Sequence, residues 1–185
     1  MVLFAEDLRV ALVTGHMPIT EIGPHITKDN IVDKIRRFEE VLKRDFRIEK
    51  PRIAVLGLNP HCGDHGVIGM EDDAEIRPAI KQATEEGILA YGPFSPDGFF
   101  GLGDYRHYDG ILAMYHDQGL APFKALVRTR GVNFTGGLDC IRTSPDHGTA
   151  YEIAGKGIAD ATSMRQAMYA ALDIYRSRTV YEESK

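Results

Sequence analysis

Three short apolar runs constrain the fold of this 185-residue chain more than any other feature. They span residues 8–14 (LRVALVT), 52–58 (RIAVLGL) and 110–115 (GILAMY), and they are almost continuously apolar rather than alternating. Strands that are apolar on both faces are typical of a mainly parallel sheet with helices covering each side. We therefore predict a buried strand at each run.

Helical patterns separate the runs. Residues 30–46 carry apolar side chains at three- and four-residue steps, with charged residues filling most of the other positions. Residues 72–86 predict a second helix, with Pro78 near its first turn and Gly87 at its end. Residues 163–176 predict a third helix that ends in basic residues. Strands that alternate with helices in this way indicate an α/β fold.

One further segment, residues 131–144, is rich in glycine and β-branched residues and predicts a strand, a turn and a second strand. Neither an internal repeat nor a linker rich in proline, glycine or serine divides the chain. Hydrophobic residues make up 43% of the sequence and charged residues 26%, which is typical of a globular protein. Residues 1–185 are therefore predicted to form a single segment.

Composition excludes several classes of function. The formal net charge of -5 argues against a nucleic-acid partner or an anionic membrane surface. Cys62 and Cys140 do not make a disulfide framework and fit a reducing compartment. Glu6 and Asp7 interrupt the apolar start of the chain, and no apolar run reaches the length of a membrane span. We expect a cytoplasmic protein without a membrane or nucleic-acid partner.

Three histidines follow the three apolar runs, and they are His16, His61 and His116. Ligands of open α/β sheets bind beyond the carboxyl ends of the strands, so three imidazoles at those ends are placed to meet one cation. Three protein ligands with open positions are typical of a catalytic metal, and imidazole suits zinc, cobalt, nickel or iron. The alternative for each histidine alone is a loop residue without a ligand. The remaining histidines before residue 120 lack this placement and are expected at the surface: His25, His65 and His107.

Three neighbours of these histidines have alternative interpretations. Asp117 follows His116 directly and Asp64 follows His61 by three residues, so each is either a carboxylate that orients an imidazole or a solvated loop acid. Cys62 adjoins His61 in the same loop and is expected to be a packed thiol rather than a ligand.

A local basic patch follows the third histidine in this acidic chain, and it comprises Lys124, Arg128, Arg130, Asn133 and Arg142. Arginine binds carboxylate or phosphate in a bidentate manner and lysine acts as a point charge, so the patch could hold a doubly anionic small molecule. Lys124 could also serve in acid–base steps. The alternative is a solvated basic face, which we favour for Arg128 and Arg130.

Residues 146–160 contain three glycines, but they lack the spacing of a dinucleotide-binding fingerprint after a strand. A Rossmann site is therefore not supported, and any nucleotide would need another kind of site.

Four segments together resemble the 4-hydroxythreonine-4-phosphate dehydrogenase family of vitamin B6 biosynthesis. They are residues 10–18 (VALVTGHMP), 56–72 (LGLNPHCGDHGVIGMED), 113–124 (AMYHDQGLAPFK) and 131–157 (GVNFTGGLDCIRTSPDHGTAYEIAGKG). Residues 147–160 are also similar to a loop of isocitrate and isopropylmalate dehydrogenases that lines the adenosine end of NAD. The resemblance implies a fold like those enzymes with a non-Rossmann NAD site. It covers only the later half of the family enzyme, so the first lobe is expected to be largely missing.

The resemblance also implies roles for three groups of residues. The family's metal-ligand positions fall on His16, His61 and His116, with zinc, cobalt or magnesium as the divalent metal. Its substrate-contacting positions fall on Lys124, Asn133 and Arg142, with Lys124 also assisting proton transfer. Its cofactor-approaching positions fall on His147, Gly148 and Thr149. A homodimer with a shared active site is implied as well.

The implied activity is NAD-dependent oxidation of a small phosphorylated hydroxy-amino acid, 4-phosphohydroxy-L-threonine. Two alternatives stay open at this point. One is a paralogue that oxidises erythronate or threonate 4-phosphate, since the same motifs would suit both. The other is an inactive metal-binding dimerisation module that has lost its first lobe.

Overall fold

The computed structural model describes residues 1–183 and shows a seven-stranded mixed sheet with helices on both faces. The strands are β1 (Val2–Ala5), β2 (Leu8–Leu12), β3 (Ile53–Leu56), β4 (Ala90–Phe94), β5 (Gly110–Ala113), β6 (Val132–Phe134) and β7 (Thr143–Pro145). The α-helices are α1 (Ile19–His25), α2 (Lys28–Phe46), α3 (Arg77–Glu85), α4 (Pro96–Gly101), α5 (His116–Val127) and α6 (Thr162–Glu183). Shorter turns of 3₁₀ helix span Pro60–Gly63, Asp104–His107, Arg128–Arg130 and Tyr151–Ile153, and a π-helical turn spans Asp72–Ile76.

The strands lie in the order β4-β3-β5-β2-β1-β6-β7. The pairs β4–β3, β3–β5 and β5–β2 are parallel, whereas β2–β1, β1–β6 and β6–β7 are antiparallel. The prediction of a mainly parallel sheet is therefore right for one half of the sheet and wrong for the other. The difference arises because β1 turns back on β2 in a tight hairpin, and the antiparallel pair β6–β7 adds to the free edge of β1.

The three apolar runs form β2, β3 and β5, as predicted, and residues 131–144 supply the antiparallel pair β6–β7. Two strands were missed. The four-residue β1 is joined to β2 through Glu6, whose φ of 52° replaces the glycine expected in such a turn. The other missed strand, β4, contains Gly92 and Pro93, which are typical of an edge strand and mask its pattern.

The helix predicted over residues 30–46 is observed as α2, which begins two residues earlier because the Thr27 hydroxyl accepts a hydrogen bond from the Asn30 amide at 3.3 Å. The predicted helix over residues 72–86 consists of the π-helical turn followed by α3. Pro78 lies in the first turn of α3. Gly87, with a φ of 87°, follows its last residues as expected for a helix end.

The last helix is longer than the sequence predicts, because α6 continues beyond Arg176 to Glu183. Arg178 explains the extension. Its Nε donates to the Asp45 carboxylate on α2 at 2.6 Å, and its Nη1 donates to the carbonyls of Leu138 and Asp139 at 3.1 and 3.0 Å. These contacts anchor the final turns of α6 against α2.

Two apolar clusters cover the two faces of the sheet. On one face, α2 and α3 pack Ile31, Ile35 and Ala79 against strand residues such as Ile53. On the other face, α5 and α4 pack Phe123 and Phe99 among a second set of strand side chains. Burial on both faces explains why the central strands are continuously apolar. Within residues 1–183, no helix is long and apolar enough to cross a bilayer.

The buried ion pair predicts a test of how α6 is held. Arg178→Ala leaves the Asp45 carboxylate, which is 0% exposed, with only Arg44 as a charged partner. We expect the free energy of unfolding to fall by about 3 kcal/mol, as for removal of one partner of a buried pair. Urea denaturation followed by circular dichroism measures the loss.

Arg176→Ala is the matched control, because the Arg176 side chain is 74% exposed. It should change stability by less than about 0.5 kcal/mol. Equal effects of the two substitutions would show that the Arg178–Asp45 pair does not anchor the helix.

Candidate metal and substrate site

The carboxyl ends of β3, β5 and β2 are neighbours in the sheet, because β5 lies between the other two and is parallel to both. His16 follows β2, and His116 is the first residue of α5 directly after β5. His61 follows β3 in the turn Pro60–Gly63. The structure therefore brings the three predicted histidines to the same edge of the sheet, which is the edge at which α/β folds bind ligands.

His16 and His116 lie side by side, with ring centroids 5.0 Å apart. Asp117 fixes the second ring, since its Oδ1 lies 2.7 Å from Nδ1 of His116. A carboxylate accepts the hydrogen bond, so Nδ1 of His116 is the donor, and Nε2 is the ring nitrogen that Asp117 does not engage. Asp117 therefore contacts the imidazole, as one interpretation predicts, while its side chain is 85% exposed, as the other predicts.

The loop that carries His61 has an unusual backbone. All six residues from 61 to 66 have positive φ, including His61 at 54° and Cys62 at 52°. A non-glycine residue in the left-handed region costs about 1 kcal/mol or more, so this conformation persists only because the surroundings hold it. Strain of this kind is concentrated at functional sites in folded proteins.

Asp72 is the group that holds this loop. Its carboxylate is 0% exposed and accepts hydrogen bonds from the amides of Leu58 and Asn59 at 2.9 and 3.1 Å, and from the Asn59 side chain at 3.0 Å. The close approach needs a glycine at position 57, because a Cβ there would lie 2.7 Å from Asp72 Oδ1 and 2.8 Å from Cys62 Sγ. The sequence alone gave no reason to connect Asp72 with the histidine loop.

Cys62 is a packed thiol, as predicted. Its side chain is buried, with Sγ 3.5 Å from the carbonyl of Pro93. Burial, and the negative charge of Asp72, raise the pKa of the Cys62 thiol above its ordinary value. It is therefore a poor candidate for a thiolate ligand beside His61.

A cavity of about 490 Å³ opens beside His61, and its wall includes Asp97, Tyr115 and Gln118. Asp97 follows β4 at the same edge of the sheet. A 2.6 Å hydrogen bond from the Ser95 hydroxyl lowers the pKa of the Asp97 carboxyl, and the charge of His61 contributes less. Asp97 was not predicted as a site residue, because β4 was not predicted. The signal for Asp97 in the sequence would have been a carboxylate shortly after a strand.

Lys124 lies far from the histidine pair. It is eight residues beyond His116 in α5, which is about 12 Å along the axis at about 1.5 Å per residue. Its Nζ pairs with Asp146 Oδ1 at 3.2 Å. Asp146 follows β7, whose end pairs with the start of β6, so this ion pair lies toward the opposite edge of the sheet.

Asn133 lies in β6 opposite Leu3 of β1, on the face of the sheet that α5 covers. Its Oδ1 and the Oδ2 of Asp146 are buried and have no hydrogen-bond partner within the described chain. Buried acceptors without donors are uncommon, and a bound polar ligand or water usually satisfies them. Two acceptor oxygens near Lys124, those of Asn133 and Asp146, could therefore each accept a hydrogen bond from a ligand or a water molecule.

Arg142 is at the edge that carries the histidines, just before β7. Its Nη1 donates to the Thr135 hydroxyl at 3.0 Å, and its side chain is otherwise exposed. A guanidinium in this position is available to an anionic ligand. Arg128 and Arg130 are exposed on the 3₁₀ turn after α5, and Arg130 pairs with Glu6, in keeping with the solvated face favoured above.

The three residues predicted to approach a cofactor line one cavity of about 520 Å³, and they are His147, Gly148 and Thr149. The opposite wall comes from the start of α6, including Ser163. The loop that carries these residues follows β7 and leads through a 3₁₀ turn to α6.

The donor set of the three histidines fits a zinc-like cation, since imidazole is its usual nitrogen ligand and Asp117 supplies the outer carboxylate. Within residues 1–183, however, no three His, Cys, Asp or Glu side chains already stand at metal-binding spacing. Within one chain, the rings of His16 and His116 are in contact, but the three histidines do not together form a metal-binding group in residues 1–183.

Solved structures share this fold. A crystal structure of 4-hydroxythreonine-4-phosphate dehydrogenase from Klebsiella pneumoniae superposes with a TM-score of 0.81 at 37% identity, covering 94% of this chain and 53% of that chain. A terephthalate 1,2-cis-dihydrodiol dehydrogenase from Burkholderia xenovorans superposes with a TM-score of 0.73 at 26% identity, covering 92% and 54%. The α/β fold with its polar sheet edge is thus one found in dehydrogenases.

The family described as pyridoxal phosphate biosynthetic protein PdxA matches residues 1–171. A 4-hydroxythreonine-4-phosphate dehydrogenase from Bacteroides thetaiotaomicron is 59% identical over 178 residues, which are 96% of this chain and 49% of that protein. The chain therefore belongs to the PdxA family. It spans about half the length of the curated relatives it matches.

The contrast between the two cysteines predicts a chemical test of the histidine loop. Cys140 is exposed, whereas Cys62 is buried and its thiol has a raised pKa. At pH 8 we expect iodoacetamide to alkylate Cys140 faster than Cys62, because the Cys62 thiol is buried and its raised pKa lowers the fraction present as the reactive thiolate. Peptide mass spectrometry of timed samples measures both rates.

Samples unfolded in urea are the control, and there the two rates should converge. Equal rates in the folded protein would contradict the packed position of Cys62.

Proposed function

We propose that this chain is the metal-carrying part of an enzyme that oxidises 4-phosphohydroxy-L-threonine with NAD. The product would be the 3-oxo acid, which loses carbon dioxide to give 3-amino-2-oxopropyl phosphate in pyridoxal 5'-phosphate biosynthesis. In this proposal residues 1–185 correspond to the C-terminal half of the family enzyme. Its fold is that of the isocitrate and isopropylmalate dehydrogenases, with a non-Rossmann NAD site.

The observation that carries the proposal is the set of histidines at three adjacent strand ends in a chain of the PdxA family. His16, His61 and His116 would hold the divalent cation. A bound divalent cation supplies stabilisation of negative charge on substrate oxygens. Asp117 would orient the ring by its contact with Nδ1 of His116, which leaves Nε2 as the ring nitrogen to face the cation.

The substrate's anionic groups require cationic partners in an acidic chain. Arg142 is exposed at the edge that carries the histidines, and we assign it to an anionic end of the substrate. Lys124 and Asn133 are the other proposed contacts, with Lys124 positioned to exchange a proton through its Nζ. The carboxylate of Asp146 pairs with that Nζ at 3.2 Å.

Two copies of the chain would share each active site. Lys124 is about 12 Å along α5 from His116, and its ion pair with Asp146 lies toward the opposite edge of the sheet. Within residues 1–183, the three histidines do not stand together at metal-binding spacing. A second copy that supplies the distant groups would complete the site, so we expect a homodimer of twice the 20.6 kDa chain mass.

The cofactor is assigned to the cavity formed by residues 147–153 and the start of α6. His147, Gly148 and Thr149 line it, and the lack of a side chain at Gly148 would allow close approach of a planar ring or phosphate. The resemblance of this loop to the NAD loop of isocitrate-type dehydrogenases supports the assignment.

Metal content tests the first part of the proposal. We expect His16→Ala, His61→Ala and His116→Ala each to weaken zinc affinity by more than the about 10- to 100-fold typical of losing an orienting partner. Competition titration against a chromophoric chelator measures the affinity, and elemental analysis measures the content.

His107→Ala is the control, because His107 is exposed in a 3₁₀ turn beyond α4 and should leave zinc binding unchanged. Full zinc content in His61→Ala would refute the three-histidine site.

A second candidate function is a dehydrogenase for another substrate, such as erythronate or threonate 4-phosphate. The same fold in a terephthalate 1,2-cis-dihydrodiol dehydrogenase supports it, because this fold then serves dehydrogenases that are named for different substrates. The third candidate is a metal-binding dimerisation module without turnover, since the chain spans about half of its relatives.

Calorimetry and NADH formation separate these candidates. We expect NAD and 4-phosphohydroxy-L-threonine each to bind the zinc-loaded chain, with NADH fluorescence rising only for the preferred phosphorylated acid. Faster NADH formation from erythronate 4-phosphate would support the paralogue. Zinc binding without NAD binding would support the module and contradict an enzyme in this chain.

A further inference from the structure

We propose that Gln118 is a positioning residue that ties together the strand ends carrying the three histidines. The proposal rests on the metal site proposed above. Gln118 lies in the first turn of α5, two residues after His116, and only 8% of its surface is exposed. Its carboxamide joins the loop after β3 to the end of β5.

Both ends of the Gln118 carboxamide are used. Oε1 accepts a hydrogen bond from the Met114 amide at 2.7 Å, and Nε2 donates to the Gly57 carbonyl at 2.6 Å. A backbone amide can only donate and a carbonyl can only accept, so the bridge requires a side chain with one acceptor and one donor at this spacing. Glutamine meets both requirements, whereas leucine and methionine meet neither.

Thr14 connects the end of β2 to the same hydrogen-bonded group. Its hydroxyl donates to the Met114 carbonyl at 2.7 Å, and the Thr14 amide reaches the same carbonyl at 3.1 Å. Thr14 is 3% exposed, so its hydroxyl has little access to water as an alternative partner. Met114, the residue just after β5, therefore makes both contacts. Its amide donates to Gln118, and its carbonyl accepts from Thr14.

The histidines follow these tied positions closely. His16 lies two residues after Thr14, His116 lies two after Met114, and His61 lies four after Gly57. Movement at any of these backbone groups would shift the imidazole that follows. The loop after β3 needs the restraint most, because the residues from 61 to 66 are all left-handed and strained.

Gln118 also lines the cavity beside the proposed metal site, together with His61 and Tyr115. A buried amide with a purely stabilising role would not need to face that cavity. Removing a group that orients a metal ligand lowers metal affinity by about 10- to 100-fold in known sites. We expect an effect of this size from the loss of Gln118.

The test is a double-mutant cycle that measures zinc affinity in the 185-residue chain. Gln118→Met keeps the length and volume of the side chain and removes both hydrogen bonds. Alone, it should weaken zinc binding about 10- to 100-fold. In the His61→Ala background, where no imidazole remains on the β3 loop, its further effect should shrink to about twofold, the scatter of independent sites.

Thr14→Val gives a second arm, paired with His16→Ala in the same way. Two variants control for general loss of stability: Ile174→Val, in the buried face of α6, and Gln82→Met, a glutamine-to-methionine change at a half-buried position of α3. Both should bind zinc like the unchanged chain, and thermal melts of all variants separate instability from lost affinity.

The outcomes distinguish the two proposals. If His61→Ala leaves zinc affinity unchanged, the proposed metal site fails. If His61→Ala weakens zinc binding while Gln118→Met does not, only the positioning role of Gln118 is overturned. Equal effects of Gln118→Met with and without His61 would also overturn it, because they would show a structural role that does not act through His61.

Discussion

Parallel pairing of β5 with β3 on one side and β2 on the other is the constraint on which the rest of the structure depends. It places three carboxyl ends next to one another, and each end is followed within a few residues by a histidine. The pairing itself is stabilised by apolar burial on both faces, where α2 and α5 cover the sheet. The strands thus position the proposed metal ligands, although none of the three histidines lies within a strand.

The loop after β3 shows what this arrangement costs. Its left-handed backbone from His61 onward is unfavourable, and the residues just before it are held by three hydrogen bonds to a buried carboxylate, that of Asp72. Gly57 is required because both Asp72 and Cys62 approach its backbone. The buried carboxylate of Asp72 would be costly if unpaired, and its partners lie at the start of the loop that carries His61.

Sequence patterns predicted the central features because those features depend on local periodicity. The runs that became β2, β3 and β5 are apolar throughout, and α2 repeats at helical steps, so both could be read without tertiary information. The three histidines could be placed at one edge for the same reason. Asp117 could be named as an orienting carboxylate only as one of two interpretations, until its 2.7 Å contact with His116 was known.

Features that depend on distant contacts could not be predicted. The length of α6 is set by Arg178 and Asp45, which are 133 residues apart in sequence. Asp97 was missed because Gly92 and Pro93 obscure β4, which delivers it to the edge. The separation of Lys124 from His116 follows from the direction of α5 across the sheet, which a list of nearby basic residues does not reveal.

Lys124 lies about 12 Å along α5 from His116, and the three histidines do not stand at metal-binding spacing within residues 1–183. The proposal that two copies of the chain share the site follows from this separation. The most direct test is anomalous diffraction at the zinc edge from crystals grown with zinc. The account predicts one strong peak at the carboxyl edge of the sheet, about 2.0–2.1 Å from a ring nitrogen of each of His16, His61 and His116, with two copies contributing. A peak that lacks His61, or zinc bound elsewhere on the chain, would contradict it.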